Sequence, residues 1–167
     1  IAAQISLIVI VFSNAANQAF TPKFMQMLSE RQYQQCFLLC LKILAIYIVI
    51  SLVIALSGPL IFDWFINEKY QEAANLLPMM CVIALCQATV TLLSNFLYFF
   101  KQVKLLSVIT SVTSLLHVAI AYFVVESYGI TGVIMSSIAT YIVAASIIFI
   151  VTIKLLKRET DAESQPV

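Results

Sequence analysis

Five apolar stretches, each about 20 residues long, make up most of this sequence. An α-helix rises about 1.5 Å per residue, so about 20 residues cross a hydrocarbon core that is roughly 30 Å thick. In lipid only a helix satisfies its backbone hydrogen bonds within one segment, and these stretches lack the alternating pattern of barrel strands. The sequence therefore predicts five transmembrane helices, at about 2–20, 36–56, 76–100, 105–125 and 132–153.

The composition agrees with this prediction and limits the class of protein. Hydrophobic residues make up 62% of the chain and charged residues 10%, whereas soluble domains carry roughly 25% charged residues. A soluble fold of this size leaves about 30% of its unfolded surface exposed and could not hide so much apolar surface. The formal net charge of +1 gives no indication of nucleic-acid binding. We therefore expect an all-α, polytopic membrane protein.

Residues that carry out catalysis or bind metals are sparse. The cysteines show neither CxxC spacing nor metal-ligand companions, so we interpret them as packing groups. They are Cys36, Cys40, Cys81 and Cys86. No Asp or Glu falls inside a predicted span, and neither a Ser-His-Asp set nor a glycine-rich phosphate loop is evident. The sequence thus predicts a protein that is not an enzyme and that uses no cofactor and no metal.

The charged residues alternate between the connections and so orient the helices. Eight of the nine Lys and Arg residues fall on one side of the predicted membrane, and Lys69 falls on the other. The eight are Lys23, Arg31, Lys42, Lys101, Lys104, Lys154, Lys157 and Arg158. Because the cytoplasmic side carries the excess of Lys and Arg, we expect the first helix to enter from outside. The tail, 155–167, would then be cytoplasmic, and we expect its polar end from Glu159 onward to be disordered.

The connections contain turn signals and one interfacial signal. Pro22 predicts the end of the first helix, with an amphipathic turn that continues to Leu28 as the alternative. The run 60–65, which includes Trp64, is too short to span and predicts a segment at headgroup level; a plain loop is the alternative. Short connections predict tight antiparallel hairpins between the third and fourth helices and, through Tyr128-Gly129, between the fourth and fifth.

Polar side chains recur at helical spacing within the apolar stretches. Such residues are costly in lipid unless they face protein or a water-filled cavity. At 100° per residue they form one face on each of the first, third and fourth helices. The candidates for a substrate cavity are Asn14, Asn17, Gln18, Gln87, Thr91, Asn95, Thr110, Ser114 and His117.

Two interpretations of these polar faces are open. Ser, Thr and Asn join helices through hydrogen bonds worth about 0.6 kcal/mol each. Alternatively the faces line a hydrophilic cavity, which the bulky amides favour because they carry more unmet hydrogen-bonding demand. Amides and hydroxyls both donate and accept, and they therefore suit sugar hydroxyls.

Two residues near these faces are ambiguous in a similar way. His117 lies near the middle of the fourth helix, where it is either a hydrogen-bonded structural ring or a group that binds substrate or a proton. Lys42 lies two turns into the second helix, where it either extends its ammonium group back to the interface or contacts a phosphate. We take Lys42 as the candidate for binding a diphosphate.

Four stretches of the chain, in order, resemble one family. They are Asn17-Gln18-Ala19-Phe20-Thr21-Pro22, Phe62-Asp63-Trp64-Phe65 with 68–74, Leu97-Tyr98-Phe99-Phe100-Lys101, and Tyr128-Gly129-Ile130-Thr131-Gly132. Together they cover nearly the whole chain. They are similar to the carboxy-terminal half of the polysaccharide flippases, the O-antigen and capsule transporters of the multidrug/oligosaccharidyl-lipid/polysaccharide exporter superfamily.

The resemblance implies a MATE-like transporter of twelve helices in two lobes, of which this chain would supply the last five spans. The chain starts with Ile1 inside an apolar stretch, so we expect it to be the carboxy-terminal part of a longer protein whose amino-terminal lobe is its partner. The implied activity is the flipping of a lipid-linked oligosaccharide, carried on polyprenyl diphosphate, across the bacterial inner membrane by alternating access. This step would serve O-antigen (lipopolysaccharide) or capsule biosynthesis. The alternatives are a drug/cation antiporter of the same superfamily and, less favoured, a membrane-embedded polysaccharide polymerase.

Overall fold

The computed structural model describes residues 1–65 and 73–163, which are almost wholly helical. The elements are α1 (Ala2–Ser29), α2 (Tyr33–Leu56), α3 (Gly58–Phe65), a 3-10 turn at 73–76, α4 (Leu77–Phe99) and α5 (Val103–Glu163). In this part of the chain four helices, α1, α2, α4 with its 3-10 turn, and α5, are long and apolar enough to cross a membrane. These features indicate an all-α, multi-pass membrane protein.

The long helix α5 is a hairpin of two arms. Gly129 has φ 56° and ψ −143°, a conformation outside the helical region. The ring of His117 lies 3.2 Å from the hydroxyl of Ser136, which is 19 residues further along the chain. A continuous helix would separate such residues by about 28 Å. The chain therefore reverses at Gly129, as the sequence predicted, and gives a first arm (103–128) and a second arm (130–163).

Two glycines allow this reversal for different reasons. Gly129 adopts a backbone conformation that is open to glycine almost alone, although nothing lies within 4 Å of the position of a Cβ there. At Gly132 a Cβ would lie 2.4 Å from Cγ1 of Val124 and 2.8 Å from Cβ of Tyr128. The motif 128–132 thus contains one glycine for the turn and one for the close approach of the arms.

The turns α1–α2 and α4–α5 end their first helix with the same hydrogen-bond motif. Arg31 has φ 61° and Lys101 has φ 55°. In the first turn the Gln32 amide donates to the Met27 carbonyl at 2.9 Å, and the Arg31 amide donates to the Leu28 carbonyl at 3.1 Å. The turn at Lys101 repeats this pair of bonds, which define a Schellman cap. Both turns place a cationic residue where helices more often have glycine.

The ends of the helices meet in an order that defines an antiparallel bundle. One cavity at an end of the bundle is lined by Arg31 from the first turn, Lys101 from the second and Glu159 from α5. We call this end of the bundle the basic end. Helices α1 and α4 run towards it, α2 and the first arm of α5 run away from it, and the second arm returns to it. Successive helices thus alternate in direction, and the side of the membrane that the charges predict for each end stays a prediction.

The central helix is α4, which packs against α1, α2 and α5. On one side Phe96 of α4 joins a buried cluster with Phe24 of α1 and Ile43 of α2. On another side Leu97 packs with Ile148 of the second arm, and both are fully buried. In lipid such contacts stabilise the bundle through close packing rather than through the exclusion of water.

The cysteines occupy positions that fit packing groups. Cys36, Cys40 and Cys81 are buried, Cys86 is half-buried, and all four are free thiols. The first two belong to the cluster around Ile43. Their surroundings therefore agree with the interpretation made from their spacing.

Two helices extend further than the sequence predicted. Helix α1 continues through Pro22 to Ser29, although a proline inside a helix costs about 3 kcal/mol. Phe24 and Leu28 beyond the proline are each 1% exposed and pack against α2 and α4, so tertiary packing outweighs the lost hydrogen bond. The second arm of α5 stays helical through Glu163, where disorder was expected from Glu159; residues 164–167 lie outside the described part.

The predicted interfacial run falls on the short helix α3. Phe62 of this helix is 1% exposed and packs with Ala2 and Leu77, whereas Trp64 is 80% exposed. One face thus contacts the bundle while the indole projects from it, which fits an interfacial segment better than a plain loop. Lys69 and the rest of 66–72, which include part of the second family-like stretch, lie outside the described residues.

Candidate polar cavities and their lining residues

A cavity of about 420 Å³ lies between α1, α4 and the first arm of α5. It brings together one candidate from each of the three predicted polar faces, namely Asn17, Thr91 and Thr110. Its other polar lining residues are Ser94, Tyr98 and Ser107. Three helices that are distant in sequence therefore contribute polar side chains to one cavity. The sequence left open whether these faces line a cavity or join helices.

The hydroxyl groups of this cavity mainly offer acceptors. Thr91 and Thr110 donate to backbone carbonyls one turn earlier in their own helices, at 3.1 and 3.0 Å. A hydroxyl has one hydrogen and two lone pairs, so both oxygens can still accept. Nδ2 of Asn17 has no partner among the described residues and adds a donor. The wall thus combines acceptors with a donor, which suits a ligand that carries hydroxyl groups.

Asn95 belongs to the interface between α1 and α4 and does not line this cavity. It is 3% exposed. Its Nδ2 donates to Oδ1 of Asn17 at 2.7 Å and to the Leu92 carbonyl at 3.1 Å, and its Oδ1 accepts from the Thr21 hydroxyl at 3.4 Å. Both hydrogens of Nδ2 have acceptors within the protein, and Oδ1 shares the Thr21 hydroxyl with the Asn17 carbonyl, which lies nearer to that hydroxyl at 2.7 Å. Asn95 therefore acts as a helix–helix contact.

The remaining amide candidates lie apart from the cavity. Asn14 and Gln18 are exposed on α1, and Gln87 is half-buried on α4, one turn before Thr91. None of the three lines the cavity described above. Exposed amides on an apolar helix are costly against lipid, so this surface of α1 calls for water or another protein segment beside it.

A second polar cavity, of about 270 Å³, lies further along the same face of the first arm. Ser114 and His117 line it, and Thr110, Ser114 and His117 follow one another at steps of four and three residues. The two cavities therefore continue one polar face of this arm. The other lining residues are Ile83, Thr113, Val118, Ser137, Thr140 and Tyr141.

His117 is half-buried and faces two hydroxyls on the second arm. Its Nδ1 lies 3.2 Å from Oγ of Ser136, and its Nε2 lies 3.4 Å from Oγ of Ser137. From the sequence, Ser136 and Ser137 are polar residues of the fifth predicted helix, but they were not among the cavity candidates. His117 lies 12 residues before Gly129, whereas Ser136 and Ser137 lie seven and eight residues after it. Equal spacing from the turn would therefore not have identified them, because the packing of the two arms sets this offset.

Lys42 shares a groove with a second lysine. The groove, of about 240 Å³, lies between α1 and α2 and is lined by Lys23, Gln35 and Lys42 with three apolar residues, Met27, Leu38 and Leu39. Both lysines are exposed. Two ammonium groups beside an apolar wall suit a phosphate on a lipid. The sequence reasoning selected Lys42 but missed Lys23, which lies opposite it across the turn at Arg31.

Within residues 1–65 and 73–163, no group of three or more His, Cys, Asp and Glu side chains is placed to hold a metal ion. Comparison of the chain with known protein families, with curated proteins and with solved structures gave no match. The resemblance to polysaccharide flippases therefore rests on the four sequence stretches.

Proposed function

We propose that the chain is the carboxy-terminal lobe of a flippase that moves oligosaccharides linked to polyprenyl diphosphate across the bacterial inner membrane. The observation that carries this proposal is the cavity in which Asn17, Thr91 and Thr110 meet from three helices. Its neutral donors and acceptors match the hydroxyl groups of a glycan better than they match an ion.

The exposed polar surface supports a missing lobe. Asn14 and Gln18 on α1 and Ser107 and Thr110 on α5 are exposed although their helices are apolar. An amino-terminal lobe that faces this surface would enclose a hydrated space between the lobes. In this proposal the two arms of α5 are separate spans, since each exceeds the roughly 20 residues that a bilayer requires, and the lobe has five spans.

The proposed mechanism is rocking of the two lobes, which opens the space to one side of the membrane at a time. Thr91 and Thr110 would accept hydrogen bonds from glycan hydroxyls, each exchanged for a bond to water and therefore weak enough to release the glycan. The polyprenyl chain would stay in the lipid.

The groove of Lys23 and Lys42 would bind the diphosphate. It lies on the half of the bundle towards the basic end, which the excess of positive charge assigns to the cytoplasm. The cargo would therefore be engaged from the cytoplasmic leaflet.

The test replaces Thr91 and Thr110 together with Val in the full-length protein. Val keeps the shape of Thr and removes the acceptors. Two hydrogen bonds of about 1 kcal/mol each correspond to a roughly thirtyfold lower flipping rate, measured as surface polysaccharide at matched protein level. Thr89→Val is the control, because the Thr89 hydroxyl donates to its own helix at 2.9 Å and does not line this cavity. Normal polysaccharide in the double variant would overturn the proposal.

A further inference from the structure

Where His117 meets the second arm, more hydrogen-bond donors surround the Val133 carbonyl than its two lone pairs can accept. The Ser136 hydroxyl lies 2.8 Å and the Ser137 hydroxyl 3.1 Å from the same acceptor, the Val133 carbonyl. In a helix this carbonyl also accepts the amide of residue 137. Three donors therefore share two lone pairs, so one serine hydroxyl is held weakly and can leave this carbonyl when another acceptor faces it.

The number of protons on His117 decides where that hydroxyl donates. If both serines donate to Val133, both can only accept from the ring, and both ring nitrogens must carry hydrogen. The ring is then a charged imidazolium. If the ring is neutral, one nitrogen is an acceptor, and one serine must leave the carbonyl to donate to it.

The distances indicate which serine turns. The bond from Ser137 to the Val133 carbonyl is longer than that from Ser136, 3.1 against 2.8 Å, so Ser137 gives it up more readily. In the neutral state Ser137 donates to Nε2, and Nδ1 keeps its hydrogen and donates to Ser136. This is the Nδ1–H tautomer.

The surroundings of His117 allow a proton to enter and leave. The adjoining cavity of about 270 Å³ exceeds the roughly 30 Å³ that one water molecule occupies. From the second arm the titratable group that faces this cavity is Tyr141; α4 contributes Ile83, and the first arm contributes Thr113 and Ser114. The nearest charged residues on the first arm, Lys104 and Glu126, lie more than two helical turns away.

We propose that His117 is a proton-binding site in the membrane part of the protein and that Ser137 reports its state to the second arm. When the proton leaves, the Nε2–H bond breaks, its electron pair stays on Nε2, and a water in the cavity takes the proton. The Ser137 hydroxyl then turns from the Val133 carbonyl to Nε2. The site stands on these contacts alone, whereas its coupling to transport rests on the function proposed above.

The first experiment observes the ring directly, without substrate. Full-length protein labelled with ¹⁵N-histidine is studied by solid-state NMR in lipid bilayers between pH 5 and 8. The His117 signals are those lost in His117→Gln. We expect two N–H signals at low pH and the Nδ1–H tautomer at high pH. A ring whose protonation does not change over this range, or a neutral Nε2–H ring, would overturn the proposal.

A pair of serine variants tests the role of Ser137. In Ser137→Ala the neutral ring loses the donor to Nε2, and we expect the Nδ1–H tautomer to be replaced by the Nε2–H form. Ser114→Ala removes a hydroxyl that lines the same cavity without bonding to the ring, and it should leave the spectrum unchanged. If Ser137→Ala retains the wild-type tautomer, the proposed turning of this hydroxyl is wrong.

The coupling to transport is measured separately, as the flipping rate in vesicles under an imposed pH gradient. The wild type should respond to the gradient, and His117→Gln, whose amide keeps one donor and one acceptor, should lose this response whatever its flipping rate without a gradient. Flipping in the variant that still follows the gradient would overturn the coupling. Absence of flipping in the wild type would reject the proposed function. The NMR experiment would still decide, independently, whether His117 binds a proton.

Discussion

The contact between α1 and α4 and the contact between the two arms of α5 both join helices through polar side chains. In the first, Asn95 is 3% exposed and both hydrogens of its amide bond within the protein. In the second, His117 is half-buried beside a cavity, and the hydroxyls that meet it have one donor in excess. The first contact is complete by itself, whereas the second can change its pattern when a proton or water arrives.

This difference shows how to separate polar residues that hold a membrane bundle together from those that do chemistry or bind cargo. Residue type does not separate them, because Asn17 contributes to both: its Oδ1 accepts from Asn95, and its side chain also lines the larger cavity. The separating property is whether donors and acceptors balance inside the protein, together with access to a space that holds water.

The variant with the largest expected effect separates the two arms of α5 without changing the polar groups between them. Gly132→Leu places a side chain where a Cβ alone would lie 2.4 Å from Val124. The arms must separate, and we expect a loss of about 3 kcal/mol or more of stability, seen as a lower unfolding temperature of the full-length protein in detergent.

Two further glycine variants show whether crowding is the cause. At Gly58 a Cβ would lie 3.0 Å from Cδ2 of the buried Leu77 side chain, which is less crowded than the position at Gly132, so Gly58→Ala should lower stability less than Gly132→Ala does. Adding Val124→Ala to Gly132→Ala should recover part of the stability that Gly132→Ala loses. A stable Gly132→Leu protein would mean that the arms do not pack as described.

The next effect tests the first contact. Asn95→Ala removes the amide that bonds to Asn17 and Thr21, and we expect a loss of about 1–2 kcal/mol from the free energy of unfolding. Because amides do not titrate, the loss should be the same at pH 5 and pH 8. A double-mutant cycle with Asn17→Ala isolates the pair, for which a coupling near zero would contradict the 2.7 Å bond. In the same measurements His117→Gln should change stability less than Asn95→Ala does.

The sequence predicts the helical architecture well and the assignment of its polar residues poorly. Run length predicts the long apolar helices, because helix formation in a membrane depends on local hydrophobicity. The short connection at Tyr128-Gly129 predicts the hairpin, whereas the orientation predicted from the charges stays a prediction. The end of α1 at Ser29 is set by packing of Phe24 and Leu28 against other helices. The sequence indicated this extension only as the alternative, an amphipathic turn to Leu28, because Pro22 favours an earlier end.

The polar residues depend on partners across helices in the same way. Periodicity placed Asn95 and Thr91 on one face, yet Asn95 meets α1 directly while Thr91 lines the cavity. The two residues are one helical turn apart on α4, and the position of α1 determines which of them is covered by a helix and which faces the cavity. The partners Ser136, Ser137 and Lys23 become evident only once the turns at Gly129 and Arg31 align the antiparallel helices.

The smallest expected effect changes stability while leaving both contacts intact. Lys101 has φ 55° in the turn that joins α4 to the first arm, a conformation that costs a residue with a Cβ about 1 kcal/mol relative to glycine. Lys101→Gly should therefore raise the free energy of unfolding by up to about 1 kcal/mol, measured by denaturation of the full-length protein. Lys104→Gly, within the first turn of α5, is the contrasting control and should lower it by a similar amount.

Lys101→Gly also separates stability from function in the comparison of the two contacts. The variant should keep the NMR signature of His117 and the coupling between Asn17 and Asn95, because neither contact involves the turn. If a more stable Lys101→Gly protein flipped its cargo normally while His117→Gln lost its response to the pH gradient, the loss could not be attributed to stability. If Lys101→Gly instead altered the His117 signals, the turn and the hairpin contact would be coupled, and the two polar contacts would have to be treated as one system.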